Sequence, residues 1–220
     1  MPPRRRSSKY KRYRRFKRAY RKGGVWGLAK KAASSVVKYY LNPEYKFLDS
    51  AANLNPTNSG NIVSVQSLIA YGDAENNRNG NSIKVTSMLY RATATLGTGA
   101  TSTKYRIMIF TDTSSAGAVP TVNTVLQAPG GANPLILAPL NRNNGSRFHV
   151  LLDRTYILDQ DDPKKHIQIF KKMNHHIHYL DGTAAVTALG QGPIYIMHIS
   201  DEATNYPTVD WNCRLRFLDN

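Results

Sequence analysis

The chain has 220 residues, a formal net charge of +16 and one cysteine, Cys213. This length permits one large domain or two small ones, and a single cysteine excludes internal disulfides and cysteine-based zinc sites. Apolar runs fall short of the roughly 18 residues of a membrane span, and the N-terminus lacks the apolar core of a signal peptide. We therefore predict no membrane segment.

The first 22 residues carry most of the excess charge. Twelve of them are Lys or Arg, and the first acid of the chain is Glu44. Residues 1–40 hold 15 bases and no acid, whereas residues 41–220 hold 15 bases and 14 acids. A run this basic resists compaction because its charges repel one another, and it requires a polyanion as partner. We predict a nearly neutral globular module with a basic arm.

Aromatic residues interleaved with these bases favour single-stranded nucleic acid as the polyanion. Cations pair with phosphates, while aromatic and guanidinium planes stack on unpaired bases. A solvated tail or a nuclear-import signal is the alternative interpretation, and neither excludes nucleic acid. The predicted nucleic-acid-binding residues are Arg4, Arg5, Arg6, Lys9, Tyr10, Lys11, Arg12, Tyr13, Arg14, Arg15, Phe16, Lys17, Arg18, Tyr20, Arg21 and Lys22.

The pattern changes over residues 25–41. Apolar residues recur there at spacings of three and four, from Trp26 to Tyr40, which predicts a short amphipathic helix that Asn42-Pro43 ends. The helix packs either on its own domain or against copies of itself in an oligomer. We accordingly divide the chain into residues 1–40, the basic arm and amphipathic helix, and residues 41–220, the second domain.

From Glu44 onward the helical period disappears and eight strands are predicted. Their long connections over 111–146 suit a jelly roll better than an up-and-down barrel, whose hairpins are short. The predicted fold class is all-β: an eight-stranded antiparallel jelly-roll sandwich with a basic N-terminal arm and a short N-terminal helix. The strands are Tyr45–Phe47, Ile62–Ala70, Ile83–Leu96, Tyr105–Phe110, Arg147–Leu158, His166–Leu180, Pro193–Ile199 and Val209–Phe217.

Three local features refine this prediction. The apolar phase shifts near Ser87, which indicates a β-bulge, and Pro120 starts a helical turn. The run Pro193–Ile199 is almost continuously apolar, as is typical of a strand covered on both faces. In the last strand, the alternation from Val209 to Phe217 predicts that Trp211 and Cys213 point into the core, so Cys213 is a core thiol and not a nucleophile.

Catalytic and metal sites receive little support. His176 and His178 share a face of one strand, the spacing of a two-His metal pair, but the Glu of a cupin-type site is missing, so we predict no catalytic metal. Phosphate-binding glycine loops and nucleophile elbows are also lacking, so we predict no enzymatic activity and no cofactor. Three acids crowd one loop and form either a solvated turn or a Ca²⁺ site between subunits: Asp159, Asp161 and Asp162.

Several bases of the second domain alternate with apolar residues and are candidates for further contacts with nucleic acid. They are Lys84, Arg91, Lys104, Arg106, Lys171, Lys172, Arg214 and Arg216.

The order of these segments resembles a known group of proteins. Its most distinctive pieces are the loop with Gly72, Asp73, Arg78 and Gly80 and the turn VPTVNTVL at Val119–Leu126. The other matching pieces are YKFLD at Tyr45–Asp49, VSVQSLIAYGDAENNRNGNSIKV at Val63–Val85, YRIMIFTD at Tyr105–Asp112, RFHVLLDRTYIL at Arg147–Leu158 and RLRFLD at Arg214–Asp219. Together with the basic arm, they resemble the jelly-roll capsid proteins of circular single-stranded DNA viruses of the circovirus-like groups. They are similar also to the coat protein of tobacco necrosis satellite viruses.

The resemblance implies a capsid subunit that assembles with itself as a 60-subunit T=1 icosahedral shell, with the arm facing inward on a single-stranded genome. DNA is the preferred cargo, and the implied locations are the virion and, through host nuclear-import receptors, the host nucleus. Two alternatives stay open: the capsid of a small single-stranded RNA satellite virus, and a non-viral β-sandwich that binds single-stranded nucleic acid.

Overall fold

The structure is a computed structural model that describes residues 45–114, 117–127 and 135–219. All of these belong to the unit Glu44–Asn220. The predicted arm and the amphipathic helix lie outside the described residues. Eight strands form the described part: β1 Tyr45–Leu54, β2 Asn61–Val63, β3 Ser82–Thr95, β4 Ser102–Asp112, β5 Phe148–Asp159, β6 Lys164–His178, β7 Ile194–Ser200 and β8 Thr208–Asp219. The prediction of an all-β domain with eight strands is confirmed.

The strands form two antiparallel sheets of four. Sheet 1 has the order β1-β8-β3-β6, and sheet 2 has the order β2-β7-β4-β5. Sequential strands fall in different sheets in most cases, so the chain crosses repeatedly between the two layers. This two-layer arrangement agrees with the predicted sandwich. None of the helices in the described ranges is long and apolar enough to cross a bilayer.

Local predictions are confirmed at two places and wrong at a third. The ladders of β3 shift register between Val85 and Ser87, which is the predicted bulge. The helical turn is α1, Val122–Val125, whose first turn is capped by the Thr121 hydroxyl. The predicted strand Ile62–Ala70 is wrong beyond Val63, because a 3-10 turn follows at Gln66–Leu68. A short apolar run fits a strand and a buried turn equally well, so its periodicity could not separate them.

The main core lies between the sheets. It contains the side chains of β8 that the alternation predicts to point inward. Cys213 and Phe217 are fully buried, and Trp211 stacks on Tyr90 with ring centroids 6.1 Å apart. Burial raises the pKa of the Cys213 thiol to about 12, because an apolar environment disfavours the thiolate. The prediction that Cys213 is a core thiol is therefore confirmed.

The outer face of sheet 2 is covered by the chain that connects β4 to β5. Met108 and Phe110 of β4 pack there in a second apolar cluster with Val125, Leu126 and Ile136. All seven residues of β7 are buried, which confirms the prediction of a strand covered on both faces.

A buried guanidinium fixes this covering segment to sheet 2. Arg106 of β4 donates to the carbonyl oxygens of Ile136 and Ala138 at 2.8 Å, and to both carboxylate oxygens of Asp153 at 2.8 and 2.6 Å. A buried charge is tolerated only when such partners replace its water. Arg106 was predicted among the bases that could face nucleic acid; its place beneath the connecting segment contradicts that role.

A second buried guanidinium joins the loop before β3 to the residues that follow β6. Arg78 is fully buried, with its guanidinium carbon 4.3 Å from the ring centroid of Tyr71 and 3.8 Å from that of Tyr179. It also donates to the carbonyl oxygens of Gly80 and Asp181. Cation–π contacts and hydrogen bonds together compensate for its lost hydration. The loop that carries the most distinctive sequence motif is thereby attached to the end of β6.

A buried histidine in the core makes the stability of the domain depend on pH. His198 of β7 is fully buried, and its Nδ1 shares a 2.7 Å hydrogen bond with the Tyr105 hydroxyl. The ring also lies 6.2 Å from that of Tyr90. Burial lowers the pKa of His198 to about 3, because the loss of hydration disfavours the charged imidazole. The folded domain therefore holds this side chain neutral at pH values where the unfolded chain protonates it.

We expect acid to destabilise the domain through His198. Its folded pKa is lower than its unfolded value, so the contribution to stability is complete above about pH 6.5. The free energy of unfolding then falls by about 1.4 kcal/mol per pH unit toward pH 3. Urea unfolding of dissociated subunits at pH 6.5 and 4.5 should show this slope in the wild type and in His149→Gln, an exposed control. His198→Gln should lack it, and an equal slope in all three proteins would contradict the assignment.

Candidate nucleic-acid interface

The predicted nucleic-acid-binding residues of the arm, from Arg4 to Lys22, lie outside the described residues, so they stay predictions. The described part contains a different basic surface. It is the outer face of sheet 1, which we call the sheet-1 face. The side chains that alternate with the core residues of β1, β8, β3 and β6 form this face.

Strand register aligns the side chains of the sheet-1 face in rows across the four strands. One row joins Gln168, Arg91 and Asn212, and the next joins Phe170, Leu89 and Arg214. Side chains on one face of a strand recur every second residue, so successive rows are about 7 Å apart. The same alternation that buries the core therefore fixes the positions of the polar and basic groups outside it.

The sheet-1 face is basic. It carries two carboxylates, Asp49 and Asp210, and six bases. The bases are Lys84, Arg91, Lys164, Lys172, Arg214 and Arg216. Because the opposite charges are outnumbered three to one, the face has a net charge of +4 with neutral histidines. Clustered positive charge of this kind attracts polyanions.

One ion pair on this face joins the edge strand β1 to β8. Arg214 donates to both carboxylate oxygens of Asp49 at 2.6 and 2.5 Å, and its guanidinium carbon lies 5.0 Å from the Phe47 ring centroid. The hydrogen bonds from Arg214 lower the pKa of Asp49 below its usual value, so this carboxylate stays charged at neutral pH. Arg214 is therefore oriented by a neighbour on the adjacent strand and stays partly exposed, with 42% of its side chain open to solvent.

Two concavities lie on this face. The larger, of about 430 Å³, crosses β6, β3 and β8, and its outward polar groups form two rows: Gln168, Arg91 and Asn212, then His166, Thr93 and Asp210. The smaller, of about 120 Å³, is lined by Ser87, Leu89, Phe170, Arg214 and Arg216. Phe170, which also lines the smaller concavity, is 56% exposed.

Of the eight bases predicted as candidates, five lie on the sheet-1 face: Lys84, Arg91, Lys172, Arg214 and Arg216. The other three do not. Arg106 is buried, Lys104 is exposed on β4 of sheet 2, and Lys171 is half-buried in the inward phase of β6. Sequence reasoning missed Lys164, which begins β6 in the outward phase of His166 and Gln168. The alternation of β6 was the signal that could have identified it.

The histidines of β6 and the acids of the loop between β5 and β6 make separate contacts. His176 and His178 do share the exposed face of β6, whereas His175 points the other way and its Nε2 lies 2.7 Å from the Gly192 carbonyl oxygen. Asp159 accepts a hydrogen bond from the backbone N–H of Asp162, and Asp162 pairs with Lys165. These contacts form a closed turn. Within the described ranges, no three His, Cys, Asp or Glu side chains are grouped as a metal site would require.

Comparison with known proteins places this sandwich among viral coat proteins. The family model described as satellite tobacco necrosis virus coat protein matches residues 21–220. The chain belongs to this family of virion proteins, whose members are structural subunits of a shell. The satellite-virus part of the predicted resemblance is confirmed, and the circovirus-like part receives no support.

Similarity to solved structures is weak. A chain of the Israel acute paralysis virus pentamer is 13% identical, with a TM-score of 0.33, and the match covers 82% of this chain and 69% of that one. A chain of the Bacillus endospore appendages, which are disulfide-linked pili, is 7% identical with a TM-score of 0.27, over 81% of this chain and 94% of that one. A search of curated proteins finds no match.

Proposed function

We propose that this protein is a jelly-roll coat protein that assembles into a small icosahedral T=1 shell of sixty copies and packages a single-stranded genome through its basic arm. The family match over residues 21–220 carries the coat-protein assignment. The separation of charge supports the packaging role, because residues 1–40 hold 15 bases without an acid while the rest of the chain is nearly neutral. The arm neutralises phosphates, and its aromatic residues stack on bases.

The amount of charge is adequate for this task. Sixty arms with 15 bases each carry on the order of 900 positive charges, each able to neutralise one phosphate. That total suits a genome of roughly one to two thousand nucleotides. The binding is independent of sequence, since phosphate contacts position a strand without reading it.

Whether the packaged genome is DNA or RNA is a separate question. The preference for DNA depended on the resemblance to circovirus-like capsid proteins, and the family match gives at least equal support to the satellite-virus alternative with an RNA genome. The same basic run would also serve as a nuclear-import signal if the host nucleus is the site of assembly. Phosphate neutralisation and nuclear import both follow from the charge of the arm alone, so neither property favours DNA over RNA.

Purified protein tests the proposal directly. Sixty chains of 24.6 kDa form a particle of about 1.5 MDa, which light scattering and negative-stain microscopy distinguish from a free subunit. Nucleic acid released from disrupted particles should be degraded by either DNase or RNase, which assigns the genome. A species near 25 kDa that never assembles, even with added nucleic acid, would contradict the proposal.

A further inference from the structure

The charges of residues 41–220 are unevenly distributed, although the net charge of this range is close to zero. The sheet-1 face holds six of the 15 bases and two of the 14 acids of residues 41–220. The remainder of that range then has nine bases and 12 acids, a net charge of −3. We propose that the sheet-1 face is a second nucleic-acid-binding surface, which contacts the packaged strand and therefore lines the inside of the shell. This inference rests on the proposed packaging function.

The bases of the face follow its long direction. Arg91, Arg214 and Arg216 occupy three successive rows, and Lys84 lies beyond the bulge of β3. With rows about 7 Å apart, they form a series of positive charges along the strands. A polyanion laid across the face would meet a base in each of these rows, as in the grooves that follow single strands.

Aromatic side chains stand beside these charges. Phe170 lies in the row of Arg214 and exposes 56% of its surface, and Phe47 lies in the row of Arg216 on the edge strand. An exposed aromatic ring leaves apolar surface in water, and covering that surface with a flat partner is favourable. Unpaired bases provide such a partner, and arginine planes add to the stacking.

The larger concavity adds polar groups suited to a nucleotide. Gln168, Arg91 and Asn212 line up across three strands along a depression of about 430 Å³. Amide and guanidinium groups donate and accept hydrogen bonds with base edges and donate to phosphate oxygens. The face therefore combines charge, stacking surface and hydrogen-bonding groups in one uncovered area of the described structure.

The alternative occupant, a second copy of the same face, is disfavoured by its charge. Two faces of net +4 pressed together would repel each other, because like charges brought together at an interface destabilise the complex. The segment joined to Arg106 packs over part of the outer face of sheet 2. Charge complementarity thus selects a nucleic-acid strand for sheet 1.

Photochemical cross-linking in assembled full-length particles tests this placement. Phe170 would be replaced by p-benzoylphenylalanine and, as a matched control on sheet 2, so would Ile157, which is 54% exposed. We expect illumination to attach the packaged nucleic acid to position 170 at a yield at least fivefold above position 157. Equal yields at the two positions, or attachment of position 170 to a second coat subunit instead, would overturn the inference.

A binding measurement provides a second test that does not depend on assembly. Dissociated full-length subunits carrying Arg91→Gln, Lys172→Gln and Arg216→Gln would be titrated with a labelled single strand over a range of salt. The control carries Lys104→Gln, Arg142→Gln and Arg154→Gln, three exposed bases away from the face. We expect the slope of log affinity against log salt to decrease by about 0.7 per lost contact, roughly 2 in total, in the first triple variant alone.

These results separate the two proposals. Equal slopes in the two triple variants, with packaging intact, would overturn the role of the sheet-1 face and leave packaging by the arm in place. Wild-type particles that contain no nucleic acid would overturn the packaging function, and the inference with it.

Discussion

Deleting Pro2–Lys22 is expected to abolish nucleic-acid packaging while leaving the sandwich folded. The deletion removes 12 of the 30 bases of the chain and none of the core residues of the described domain. The affinity of the full-length subunit for a single strand should fall with salt. Each phosphate contact contributes about −0.7 to the slope of log affinity against log salt. The measurement is the ratio of absorbance at 260 and 280 nm in purified particles, together with the melting temperature of the subunit.

Two matched variants sharpen this prediction. An arm with the same composition in scrambled order should package normally, because charge and stacking do not require a particular sequence. An arm in which glutamine replaces all 12 bases should fail like the deletion. Packaging that survives the deletion at wild-type level would show that the arm is dispensable, and a lost melting transition would show that the arm belongs to the fold.

Replacing Trp211 with alanine is expected to cost about 3–5 kcal/mol of stability, the usual range for a large aromatic side chain removed from a core. Trp211 is 7% exposed and stacks on Tyr90 between the two sheets. Its removal leaves a cavity and exposes the stacked ring. Urea unfolding of dissociated subunits measures the loss, and an unchanged midpoint would refute the inward phase of β8.

Trp211→Phe is the matched control. The indole N–H of Trp211 has no hydrogen-bond partner in the part of the chain that the structure describes, so phenylalanine loses no polar contact there. We expect it to cost less than about 1.5 kcal/mol, because an aromatic ring still fills most of the space. A phenylalanine variant as unstable as the alanine variant would indicate that the N–H has a partner.

Much of the fold could be predicted from the sequence because strands impose a period of two. Val209 to Phe217 alternate strictly, so both the strand and its buried face followed, and the phase shift near Ser87 located the bulge. Long connections and the absence of helical period after Glu44 gave the sheet architecture. The run Ile62–Ala70 failed because a short apolar stretch has no period long enough to identify it.

Which bases of residues 41–220 are exposed could not be predicted from the strand pattern. Arg91 and Arg106 both alternate with apolar neighbours, yet one is exposed on sheet 1 and the other is buried on sheet 2. The difference depends on the segment between β4 and β5, which folds over sheet 2 and gives its carbonyl oxygens to Arg106. Alternation divides the side chains of a strand between its two faces. Only long-range packing decides whether the outer face of a given sheet is covered by another segment.

The sequence by itself determined the charge of the arm and the strand phases, because these depend on composition and on a local period. It predicted, but did not determine, the chemical class of the partner of the arm. The tertiary structure alone decided that Arg78 is enclosed by Tyr71 and Tyr179, and that six bases gather on the outer face of sheet 1. Those features join residues that are distant in the chain. Strand order and register bring them together, and no local pattern encodes that order.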